Sequence, residues 1–154
     1  MSDFLNLYNK ITRLPLGNFF FSKGIGIVAP FFGKIRPNII ELKPYCCKVK
    51  MKDRWGVRNH IGTINAGAMC TLAELTGGLA IDASLPAHLR WIPKSMSVEY
   101  LRKAKGMLTA SCAFDEDVIQ EGETVLPIVV TNEKDEKVFT AEITFYISKK
   151  RESR

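Results

Sequence analysis

Residues 65–85 (NAGAMCTLAELTGGLAIDASL) constrain this chain more than any other stretch of its sequence. At helical spacing they are apolar nearly all the way round. A helix that is hydrophobic on every face must be buried on every face. Asn65 supplies an N-cap and Pro86 a stop, which bound the helix at residues 65–85. Gly77 and Gly78 each cost about 1 kcal/mol against alanine inside a helix. Their presence makes sense if another backbone approaches closely. A thin helix wrapped by a curved sheet meets that requirement.

The flanking sequence supplies such a sheet. Ile39, Ile40 and Leu42 read as one strand, and residues 47–52 alternate lysines with apolar side chains. That alternation marks an antiparallel strand with one wet face. After the helix, Met96, Val98 and Tyr100 alternate with Ser95, Ser97 and Glu99. Lys105-Gly106 reads as a turn, and Leu108, Ala110, Cys112 and Phe114 alternate again. Residues 125–131 form the next strand, and Phe139, Ala141, Ile143, Phe145 and Ile147 the inward set of the last. Pro127 cannot donate to a ladder, so an edge or a bulge is expected there. The order is two strands, one buried helix, then four antiparallel strands, an α+β arrangement with the helix against one face of the sheet.

Ahead of the sheet, residues 3–14 place Leu5, Tyr8 and Ile11 at helical spacing before Pro15. Residues 17–33 read as a second, glycine-broken helical segment. This apolar preface (residues 1–34) either packs on the sheet or, through Leu14, Leu16, Phe19, Phe20, Phe21, Ile25 and Ile27, lines a greasy pocket. At 154 residues the whole is expected to be a single domain.

Charge and cysteines narrow the function classes. The formal charge is +6, concentrated at residues 48–58, 102–105 and 149–154. A positive surface attracts anionic partners. Nucleic acid is excluded as an expectation, because no basic stripe is interleaved with aromatics and no recognised nucleic-acid module appears. Cys46, Cys47, Cys70 and Cys112 lack metal-ligand spacing, and neighbours in an extended segment point to opposite faces. They read as small apolar fillers in a reducing compartment, with no metal. The start carries Asp3 and no basic region before an apolar run, so no signal peptide is read. Residues 19–32 are broken by Lys23, Gly24, Gly26 and Pro30 and are too short to span a bilayer. The expected location is cytoplasmic.

The chemistry lies in residues 58–74. Glu74 stands in the middle of an otherwise apolar helix, where a carboxylate is costly unless paired or functional. Desolvation there raises a carboxyl pKa and makes a stronger base. The bland alternative is a structural glutamate bonded to backbone or facing solvent at the helix edge. Asn65, Ala66 and Gly67 start the helix, where free N–H groups and the helix dipole receive negative charge; simple capping explains Asn65 equally. Asn59 and His60 precede it on a loop. Thr71, one turn before Glu74, either faces the same cleft or bonds back to a helix carbonyl.

The pattern Asn59-x-x-Gly62-x-x-Asn65-Ala66-Gly67, with an acid at position 74, resembles the motif of PaaI-type hotdog-fold thioesterases. Segments 36–42, 58–80 and 90–105 resemble an uncharacterised branch of that superfamily with a helical N-terminal preface. The resemblance implies a hotdog fold and hydrolysis of acyl-coenzyme A, or acyl carrier protein, thioesters. It implies Glu74 as nucleophile or general base, the N–H of Ala66 with that of Gly67 as the oxyanion site, and Asn59 as a positioner of water or carbonyl. Arg102 and Lys103 fall where such enzymes hold the phosphates of coenzyme A. The carboxylate and the helix-start amide come from different subunits, so an obligate homodimer is implied, with pairing into a tetramer left open. The family's usual histidine is Asn65 here and its first glycine is Ala66; His60 is the imidazole nearest in sequence. No cofactor is implied beyond the coenzyme A of the substrate. The rival reading is a non-catalytic acyl-thioester-binding module on the same fold.

Overall fold

The computed structural model describes residues 3–150, without the side chain of Asp3; the basic tail past residue 150 lies outside the described residues. Its axis is α4 (Ala66–Ser84), buried along nearly its whole length from Met69 to Ala83. Asn65 caps it and Leu85 ends it, as the apolar run and Pro86 predict.

Around α4 runs one antiparallel sheet built from β1 (Asn38–Lys43), β2 (Cys46–Met51), β3 (Leu89–Tyr100), β4 (Leu108–Ala113), β5 (Gly122–Thr131) and β6 (Lys137–Lys149). The strand order is β1-β2-β4-β5-β6-β3. A curved antiparallel sheet around a long central helix is the hotdog arrangement. The alternation in β2 is realised with Cys47, Val49 and Met51 fully buried. In β1 a register shift between Ile39 and Glu41 turns Ile40 outward while Ile39 and Leu42 stay inside. Pro127 lies one residue before the β4 pairing begins at Ile128, on the part of β5 paired with β6 alone. The missing donor therefore falls on a local edge.

The two mid-helix glycines are explained differently from the expectation. A Cβ on Gly77 would lie 3.3–3.4 Å from the tips of Ile128, Ile143 and Phe145, and one on Gly78 would lie 3.0 Å from the Trp91 ring. The close neighbours are side-chain ends of the sheet, not another backbone. Large inward residues on the strands fill the space that a helix side chain would need.

The preface forms α1 (Asp3–Thr12), α2 (Gly17–Val28) and α3 (Pro30–Gly33). Gly24 and Gly26 do not break α2; the break comes at Ala29, ahead of Pro30. Phe21 anchors the preface, with its ring edge-on to Phe4 and Tyr8. Ser22 ties α2 to β1, accepting the Ile39 N–H at 2.9 Å and donating to the Asn18 carbonyl at 2.7 Å. Leu14, Leu16, Phe19, Phe20 and Ile27 are exposed, whereas Phe21 is buried. Among the described residues no helix is long and apolar enough to cross a membrane.

Candidate functional site

The start of α4 is held in place by its loop. Ile64 donates its N–H to Ala104 at 2.9 Å, and Asn65 donates its own to Val57 at 2.8 Å. The Asn65 carboxamide oxygen accepts from the Gly67 N–H at 2.7 Å. The Asn65 carbonyl takes the N–H groups of Ala68 and Met69. Of the groups expected to bind an oxyanion, Gly67 is therefore already spent on the cap. The exposed Ala66 keeps a backbone N–H with no acceptor among the described residues. Here the helix dipole favours a negative charge.

A cleft of about 360 Å³ opens beside this helix start. Gly67, Ala68 and Thr71 line it from α4, Val57 and Arg58 from the loop, and Phe31, Lys34 and Ile35 from the preface and the segment after it. The preface thus reaches the candidate site through Phe31, not through the leucines and phenylalanines nearer the N-terminus. Phe31 and Lys34 carried no periodic signal in the sequence that would have marked them.

Of the candidates from the sequence, Asn65, Gly67 and Thr71 line the cleft, whereas Asn59, His60, Ala66, Glu74, Arg102 and Lys103 do not. Asn59 is committed to its own turn: its Oδ1 accepts from the N–H groups of Ile61 and Thr63, at 3.2 and 3.0 Å, and its Nδ2 donates to the Thr63 hydroxyl at 2.8 Å. One amide hydrogen of Asn59 remains. Thr71 donates to the Gly67 carbonyl at 2.8 Å, the back-bonding alternative. His60 is exposed at the loop tip. Arg102 and Lys103 are exposed just past β3, within two residues of the Ala104 carbonyl that holds Ile64.

Glu74 is half-buried, and among the described residues it makes no hydrogen bond or ion pair. Its place on the helix is defined by its neighbours at four-residue spacing, which share one face. The Cys70 sulfur lies 3.3 Å from the Tyr100 hydroxyl, Gly78 faces the Trp91 ring, and Asp82 accepts from Trp91 Nε1 at 3.1 Å. Glu74 sits between these contacts, on the row that looks toward β3.

β3 is an end strand, paired only with β6. Its register sets Pro93, Met96, Val98 and Tyr100 opposite the buried Phe145, Ile143, Ala141 and Phe139, and so on the helix side of the sheet. Met96 is nevertheless 37% and Tyr100 51% exposed. The inward face of this strand is left uncovered beside Glu74. An exposed edge strand with an apolar inner face is a template for pairing with another chain.

Comparisons with known proteins agree with this architecture. The sequence profile of a family described as a domain of unknown function, DUF4442, matches residues 17–147. A solved structural-genomics protein, APC5556, is 40% identical, with a TM-score of 0.86 over 96% of this chain and 99% of that one. PA5026 from Pseudomonas aeruginosa, described as a probable thioesterase, is 26% identical with a TM-score of 0.77, over 89% of this chain and 97% of its own. The Haemophilus influenzae thioesterase HI1161 shares the fold at 17% identity, with a TM-score of 0.72 over 80% of this chain and 86% of its own. No curated protein matches the chain.

Proposed function

The chain belongs to the DUF4442 family and has the hotdog fold of known thioesterases, and from that premise we propose that it hydrolyses acyl-coenzyme A thioesters at a site shared between two copies. The observation that carries the proposal is the separation of two free groups on one helix. Ala66 offers an unspent N–H at the helix start, and Glu74 offers an unpaired carboxylate eight residues on. At 1.5 Å per residue that is about 12 Å along the axis and about 80° around it. Reacting atoms must meet at about 3–3.5 Å. A carbonyl held at one chain's Ala66 is therefore out of direct reach of the same chain's Glu74.

A second copy resolves the mismatch. Glu74 looks toward the unpaired β3 edge, and the exposed inner face of β3 gives that copy something to cover. Pairing at β3 brings the carboxylate of one copy toward the helix start of the other. In the reaction the Glu74 carboxylate takes a proton from water as the water oxygen bonds to the thioester carbon. The carbonyl oxygen gathers negative charge against the Ala66 N–H. The tetrahedral intermediate then collapses, the C–S bond breaks, and the departing thiolate recovers the proton from Glu74. Arg102 and Lys103, exposed near the helix start, suit the phosphates of coenzyme A. Neither water attack nor oxyanion binding requires a cofactor.

The test is a panel of short, long and aromatic acyl-CoA thioesters, followed by loss of thioester absorbance. Glu74→Ala is expected to lower turnover at least about a hundredfold, the contribution of a general base. Turnover indifferent to Glu74 overturns the mechanism. Tight acyl-CoA binding without turnover assigns the chain to the non-catalytic reading.

A further inference from the structure

A second cavity, of about 500 Å³, lies under the preface, between α2 and the first two strands. Five cationic side chains line it: Lys23 from α2, Arg36 from the segment before β1, Lys50 from β2, and Lys52 and Arg54 just after it. Its single acid, Asp53, is already committed, accepting from Arg58 Nε at 2.6 Å and from the Gly106 N–H at 3.0 Å. None of the five cations is in an ion pair among the described residues. Phe19, Ile35 and Met107 supply apolar wall.

Gathering like charges around a hollow is costly, and among the described residues it is offset in part by Asp53 and by the Phe19 ring, whose centroid lies 5.6 Å from Lys23 Nζ. Arg54 donates through Nη2 to the Lys34 carbonyl, but its Nε is buried without a partner among the described residues. Burial, with Arg36 adding to it, lowers the Arg54 pKa, which is the direction expected of a cation without a counter-charge. Arg36 itself holds a left-handed backbone at φ 48°, a conformation uncommon for a residue with a side chain. A buried donor without an acceptor is destabilising, and more so when it is charged. These costs are recovered when an anion enters.

We infer that this cavity is a phosphate-binding site, formed by Lys23, Arg36, Lys50, Lys52 and Arg54 and adjoining the helix-start cleft, with which it shares the Ile35 wall. A carboxylate would balance one charge of five, whereas a phosphate group carries up to about two negative charges and three acceptor oxygens. The planar forks of two arginines match phosphate oxygens in pairs. The phosphate is either that of a soluble phosphoester or the headgroup of an anionic lipid. The surroundings suit a lipid source, since residues 4–40 contain five lysines and arginines and no acid, and Phe20 and Val28 of α2 stand 60% and 85% exposed. The inference does not depend on the thioesterase reading.

Calorimetric titration of the full chain with inorganic phosphate, at constant ionic strength, tests it. Lys23→Gln with Lys50→Gln is expected to weaken binding at least about tenfold, the loss of one charge-assisted bond. Lys149→Gln with Lys150→Gln, a matched charge change at the opposite end of the sheet, where β6 pairs with the start of β3, is expected to leave binding intact. No binding to wild type, or equal weakening in both double variants, overturns the inference. Co-sedimentation with phosphatidylglycerol vesicles, and not with phosphatidylcholine vesicles, assigns the phosphate to lipid when Phe20→Ser with Val28→Ser abolishes it but spares inorganic phosphate. Phosphate binding without vesicle binding assigns it to a soluble phosphoester. Neither outcome bears on Glu74.

Discussion

Adding one methyl group to a helix glycine should stabilise this protein at position 24 and destabilise it at position 77. At Gly24 nothing lies within 4 Å of where a Cβ would sit. Gly24→Ala then contributes about 0.4–1 kcal/mol by restricting the unfolded chain. At Gly77 the same methyl would lie 3.3 Å from Ile128 Cδ1 and 3.4 Å from both Ile143 Cδ1 and Phe145 Cζ. All three side chains are at most 1% exposed, so none can move aside into solvent. Overpacking of this kind costs about 1–3 kcal/mol, against a propensity gain of about 1. The net is a loss of about 1 kcal/mol, and the two variants should differ by about 2 kcal/mol. For a chain of this size that corresponds to about 4–8 °C in Tm. Thermal unfolding by circular dichroism, at one protein concentration for all variants, reads it directly. A Gly77→Ala Tm equal to or above that of Gly24→Ala would refute the wrapped-helix argument.

Two further outcomes follow from buried and paired groups. Asp53 is held ionised first by its hydrogen bond from Arg58, with the Gly106 N–H assisting, so its folded pKa lies below the ordinary carboxylate value. Its contribution to stability is complete above the unfolded pKa of about 4 and is lost as pH falls through the folded value. Below about pH 4 the wild-type Tm should therefore fall more steeply than that of Asp53→Asn, and parallel curves would contradict the assignment. Cys47 and Cys112 face each other across β2 and β4 in the core; burial holds the Cys47 thiol well above its usual range and pushes Cys112 up to about 12. In the native protein a thiol reagent should label the half-buried Cys46 and Cys70 and spare the other two until the protein unfolds, as mass spectrometry of labelled peptides would report.

Much of the fold was legible because each signal was local. An apolar run with an N-cap and a terminal proline marks a buried helix whatever surrounds it, and strict alternation at Cys47, Val49 and Met51 fixes one strand face. The site was less legible, because its features depend on where the sheet stops. From the sequence Glu74 reads either as a desolvated carboxylate or as one facing solvent at the helix edge; it is half-buried because the sheet ends at β3 and leaves that flank open. The resemblance implies Asn59 as a positioner of water or carbonyl, and only the turn geometry reveals that most of its amide is used within its own loop. The resemblance implies Gly67 as an oxyanion donor beside Ala66, but the same Asn65 that caps the helix consumes its N–H. The basic cavity draws on Lys23, Arg36, Lys50, Lys52 and Arg54, spread over 32 residues. The charge run at 48–58 marked three of them, and nothing in the linear pattern linked these to α2.

The central claim, that the carboxylate and the oxyanion donor act from different copies, is tested most directly by mixing two inactive variants. Glu74→Ala removes the base. Ala66→Pro removes a single N–H at the first helical position, where proline is well tolerated and no hydrogen bond among the described residues is lost. Each variant alone leaves both sites of its dimer defective. After the two are unfolded and refolded together in equal amounts, half the dimers are mixed, and a mixed dimer with shared sites holds one intact site and one doubly defective. That mixture is expected to recover about a quarter of wild-type acyl-CoA turnover. If mixed dimers form and the activity stays at the level of the separate variants, Glu74 and Ala66 do not act from different copies.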